Sequence, residues 1–102
     1  MQEKVSQFVE QYGLTADAQS RYIDFMSEAG QLGKAILNAS DYGTRPLEVS
    51  DQIVAEAGDC LFSLLALFNE FGLEESEVLQ AVLTSYEARM KQYAASQGQR
   101  NE

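Results

Sequence analysis

The chain has 102 residues, of which 45% are hydrophobic, and a formal net charge of −9. Such a length bounds it to one domain with a modest core, and such a composition excludes a disordered chain. Seven basic residues, scattered against sixteen acidic ones, exclude a grip on a nucleic-acid backbone, which needs clustered Lys and Arg.

The N-terminal MQEKVSQFVE is charged from its third residue, so no signal peptide is expected. Val5, Phe8, Val9 and Tyr12 follow i, i+3, i+4, i+7 spacing and predict a first amphipathic helix ending at Gly13. Thr15 is the expected N-cap of a second helix, with Asp17 in its first turn. Tyr22, Phe25, Met26, Ala29, Leu32 and Ile36 carry its apolar stripe to about Asn38. The stretch 39–49, ASDYGTRPLEV, holds Gly43 and the only proline, Pro46, and reads as the one clear loop. Ser50 caps a third helix, which runs to Phe71 and stops at Gly72. A fourth starts near Glu74 and sets Val78, Val82, Tyr86, Met90 and Tyr93 on one face. From Ala95 the periodicity is lost, and the tail is expected to fray. No sustained period-two alternation appears. The expectation is an all-α fold, a four-helix bundle-like protomer formed by residues 1–102 as a single domain.

The third helix organises the rest. Residues 53–71, IVAEAGDCLFSLLALFNEF, are apolar on nearly every side and predict a buried helix. The longest apolar run, 60–68, is interrupted by Ser63 and falls far short of the roughly 20 residues a membrane span needs. Three short neighbours give such a helix too little cover, so a dimer packed through it is expected, alone or as a dimer of dimers. Cys60 is the sole cysteine, which rules out an internal disulfide. It reads as a core residue, and a reduced cytoplasm fits.

Into this helix are set Glu56 and Asp59, three residues apart and so on one face, with Gln52 a turn before and Ser63 a turn after. Like charges in an apolar setting need a partner, a proton or a metal. A Glu and an Asp one turn apart form a hard-oxygen site suited to Mg²⁺ or Mn²⁺. Helix two carries a matching polar face of Arg21, Asp24, Glu28 and Gln31, and Glu28 and Gln31 repeat the three-residue spacing. If the two helices run antiparallel, three carboxylates and one amide surround a pocket. A divalent cation there would let an acidic protein take a phosphorylated ligand. Blander readings stand beside this one. Arg21 and Asp24 can pair across a turn, Arg89 can neutralise Glu56 or Asp59, and Ser63 can bond back to the carbonyl of Asp59.

MSEAGQLGKAIL followed by EAGDCLFSLLAL resembles the MazG-type all-α nucleoside triphosphate pyrophosphohydrolases, whose signature is Glu-x-x-Glu on one helix and Glu-x-x-Asp on a later one. The resemblance runs over about 22–89, and DYGTRP and SYEAR look like the short MazG-like branch. It implies metal ligands at Glu28, Glu56 and Asp59, which are also the catalytic carboxylates. At the fourth ligand position this chain has Gln31 where the pattern has Glu. The implied reaction is Mg²⁺-dependent hydrolysis of a nucleoside triphosphate to a monophosphate and pyrophosphate, with water activated by the metal. Lys34, Arg45 and Arg89 are the candidate phosphate-binding residues, with Arg45 as a lid from the loop. Tyr86 is either a core residue or a stacking surface for a base. Two other outcomes remain open at this point: a catalytically weakened nucleotide-binding relative, and a purely structural dimerisation module.

Overall fold

The computed structural model describes residues 1–100. It is all-helical, with α1 (Gln2–Gln11), α2 (Ala18–Ala39), α3 (Asp51–Phe71) and α4 (Glu75–Arg100), and no strand among the described residues. The chain divides into two compact units, Met1–Gly72 and a second beginning at Leu73. None of these helices is long and apolar enough to cross a membrane.

The caps follow from local chemistry. α1 closes with Gly13 at φ 65, while the Leu14 N–H reaches back to the Val9 carbonyl at 2.9 Å. That is the helix ending that a left-handed glycine permits. At α2 the expected Thr15 cap is replaced by Asp17, whose carboxylate accepts from Ser20 N at 2.7 Å. Asp caps at least as well as Thr, and here its oxygen meets the N–H three residues on. Ser50 caps α3 as expected, accepting from Ile53 N at 3.2 Å. α3 ends at Gly72, φ 67. α2 ends less simply, because Asp41, Tyr42 and Gly43 all take positive φ. Arg45 then donates from Nε to the Ala39 carbonyl (3.3 Å) and from Nη2 to that of Asn38 (3.5 Å).

In the first unit α3 packs against both α2 and α1. Phe8 meets Phe62 edge-on at 5.9 Å. Asn69 donates to the Gln2 carbonyl at 3.1 Å, so α1 and α3 are antiparallel. The buried apolar side chains are Val9, Ala35, Leu65, Ala66 and Leu67. Burial of α3 is thus one-sided, and its neighbours leave part of its apolar surface uncovered, as its pattern led one to expect. Val54, Leu61 and Phe71 are exposed, Leu61 by 56%. A core this small covers only one face of a helix that presents apolar residues on several. Arg21 is buried to 7% exposure, and its guanidinium donates to the Leu14 carbonyl. It thereby fastens the α1–α2 connection and does not pair with Asp24.

The second unit is α4 by itself. Glu75 and Glu77 lie in its first turn, where negative charge complements the helix dipole. Glu87 and Lys91 pair at 3.4 Å across one turn. The helix continues past Ala95 to Arg100, where fraying was expected. Backbone hydrogen bonding needs no apolar stripe, and Ala, Gln and Arg are good helix formers. Asn101 and Glu102 of that tail lie outside the described residues.

Candidate metal centre

Glu28 on α2 and Glu56 and Asp59 on α3 each offer a carboxylate oxygen, and these lie within 4.8 Å of one another. The convergence follows from helix geometry. Ser63 Oγ donates to Asp24 Oδ2 at 3.0 Å, bridging α3 to α2. Four residues along α2 from Asp24 is Glu28, and four residues back along α3 from Ser63 is Asp59. The helices are therefore antiparallel, and the acids occupy the next rung after the Ser63–Asp24 bridge. The bridge also corrects the expected bond from Ser63 to the Asp59 carbonyl. A hydroxyl facing a neighbouring carboxylate gains a charge-assisted bond that the helix carbonyl does not give.

Glu28 and Glu56 are half-buried and Asp59 is exposed, so the polar stripe of α3 runs from solvent at Gln52 to full burial at Ser63, 2% exposed. The expected buried acids are thus acids at the mouth of a helix pair. Within the first unit none of the three carboxylates has an ion-pair partner. Loss of solvent raises the Glu28 pKa above its ordinary value, and the charges of Asp59, Asp24 and Glu56 raise it further. Burial likewise raises the Cys60 thiol, reinforced by Glu28, Asp59 and Glu56, which leaves it a poor nucleophile.

This donor set fits a hard divalent cation. With Mg–O distances of about 2.1 Å, opposite ligands of Mg²⁺ stand about 4.2 Å apart. The 4.8 Å limit is close to that, within reach of small side-chain rotations. Gln31 lies one turn beyond Glu28 and is exposed.

Each of the expected phosphate-binding residues has a partner of its own. Lys34 Nζ donates to the Tyr42 hydroxyl at 2.8 Å and sits 5.4 Å from the centre of that ring. Arg45 caps the end of α2, and the expected lid is a helix-terminating contact. In the second unit the Arg89 guanidinium stands 5.5 Å from the Tyr86 ring centre, so those two side chains form one cation–π surface. Sequence reasoning missed a shallow apolar hollow of about 440 Å³ lined by Met1, Lys4, Val5, Phe8, Asp59 and Phe62. Phe8 had shown itself only as a core-stripe residue. Its place beside Asp59 depends on the packing of α1 on α3, which no local pattern encodes.

No protein-family model, no curated protein and no solved structure matches this chain.

Proposed function

We propose that this protein is a Mg²⁺-dependent nucleotide pyrophosphohydrolase, with Mn²⁺ as an alternative ion, hydrolysing nucleoside triphosphates to monophosphate and pyrophosphate. The observation that carries the reading is the convergence of Glu28, Glu56 and Asp59 from two helices, with no ion-pair partner within the first unit. Three hard oxygens facing one point without a Lys or Arg form an arrangement that a divalent cation stabilises. The MazG-like pattern in the sequence supports it independently.

In this reading Glu28, Glu56 and Asp59 hold the ion, and Gln31 contributes a neutral oxygen at the rim. A bound divalent cation supplies neutralisation of phosphate oxygens and a lowered pKa for water. A carboxylate of the cluster that the ion left unbound would accept the proton of the attacking water. Lys34 is the phosphate partner within the first unit, and must leave Tyr42 to act. The Phe8–Phe62 surface beside Asp59 receives the base by stacking. The same reading has the all-helical protomer paired with a second copy over Leu61 and Val54, in the cytoplasm.

The test is the effect of Mg²⁺ on thermal unfolding. Binding to the folded state alone raises the melting temperature by mass action. Asp59→Asn removes most of that rise, and leaves the metal-free protein as stable as before or more so, since it relieves repulsion with Glu28 and Glu56. A metal-free Asp59→Asn variant that melts well below the parent would mark Asp59 as structural and end the reading.

A further inference from the structure

We propose that the Ser63–Asp24 hydrogen bond is the positioning contact of the carboxylate cluster. It sets the sliding register of α2 along α3, and so fixes how closely Glu28 approaches Glu56 and Asp59. The inference rests on the metal-site reading above.

Three observations carry it. Ser63 is 2% exposed, so its hydroxyl has no water to turn to. Its partner lies 39 residues away on the other helix, at 3.0 Å. The bond occupies the rung directly before the acids, with Asp24 one turn from Glu28 and Ser63 one turn from Asp59. The apolar core around Ala35, Leu65 and Leu67 supplies packing, while the Ser63–Asp24 bond is the directional polar contact between the two helices next to the acids. A hydrogen bond fails within a few tenths of an ångström. A slip of one residue shifts Glu28 by about 1.5 Å along the helix axis. Small side-chain rotations bring oxygens that lie within 4.8 Å of one another around a small cation, and a further shift of about 1.5 Å exceeds what they recover. Ser63 and Asp24 are therefore positioning residues: they act through Glu28 and do not themselves hold the ion.

Two variants separate geometry from charge. Ser63→Ala removes the hydroxyl and keeps every charge. Asp24→Asn removes a charge but keeps an oxygen to accept from Ser63. Mn²⁺ affinity of the full chain, from the electron paramagnetic resonance signal of the free ion, is compared with thermal melting of the metal-free protein. Ser63→Ala should lower Mn²⁺ affinity about tenfold, the lower end of what supporting residues around a metal contribute. Asp24→Asn should lose less, and its deficit should shrink as salt is raised. Asp24→Ala, at an exposed position, should match Ser63→Ala at high salt, so the test does not depend on Ser63→Ala folding. If Ser63→Ala holds Mn²⁺ affinity within about twofold of the parent, or Asp24→Ala within about twofold of Asp24→Asn at high salt, the bond does not position the cluster and the proposal is overturned, whatever the melting temperature does. If the unaltered chain binds no Mn²⁺, the metal-site reading fails and takes the proposal with it. The silence of the parent protein distinguishes that result.

Discussion

At the scale of single residues, the site is defined by what Glu28 meets. Its carboxylate is half-buried and faces Asp59, Asp24 and Glu56, so its pKa in the folded chain lies above the unfolded value. The folded state then holds that proton more tightly than the unfolded state does. Its contribution to stability is full below the unfolded pKa and is lost as pH rises through the folded one. The metal-free protein should therefore lose stability as pH climbs past the ordinary glutamate range, and Glu28→Gln should flatten that part of the profile. Thermal melts across pH 4–8 check this, and an unchanged slope in Glu28→Gln would refute it. Gln31 gives the companion test. If Gln31 is the fourth ligand, Gln31→Glu adds a hard carboxylate to the site, so Mg²⁺ affinity by calorimetry should rise while metal-free stability falls. Shifts of opposite sign cannot come from general damage, and no change in either removes Gln31 from the site.

At the scale of helices, the sequence made most of the architecture readable. Ser50 and Gly72 mark the ends of α3 because a hydroxyl cap and a left-handed glycine are local requirements. The Glu56–Asp59 and Glu28–Gln31 spacings put the right groups on the right faces because 3.6 residues make a turn. Legibility stopped where side chains choose between local and distant partners. Thr15 read as the cap with Asp17 inside the first turn, and the later start of α2 makes Asp17 the cap instead. Ser63 had its own helix carbonyl in reach, and Asp24 was visible as a partner only once the helix register existed. Arg45 had no counterpart within its own loop pattern until the end of α2 placed two carbonyls beside it. Leu65 shows the same division. The pattern placed it in an apolar helix, and packing made it one of the few large buried side chains, 5% exposed. Leu65→Ala should cost about 2–5 kcal/mol in urea denaturation if the contacts of α3 with α1 and α2 form the core. A cost below about 0.5 kcal/mol, as for a surface change, would contradict that packing.

At the scale of the molecule, the first unit leaves Leu61, Val54 and Phe71 open beside a small core. A second copy of the chain would cover them. Light scattering at micromolar concentration should give at least a dimer, and Leu61→Gln should shift it toward monomer while leaving the helical circular dichroism intact; a folded monomeric parent would contradict this. Dimer or not, the proposed activity is defined by which phosphate bond is broken. The direct measurement is ³¹P nuclear magnetic resonance of nucleoside triphosphates incubated with the purified protein and Mg²⁺. The predicted result is the joint appearance of monophosphate and pyrophosphate, abolished by chelator and by Asp59→Asn. Orthophosphate with diphosphate in the same assay, or an unchanged spectrum for every base at saturating Mg²⁺, would contradict it.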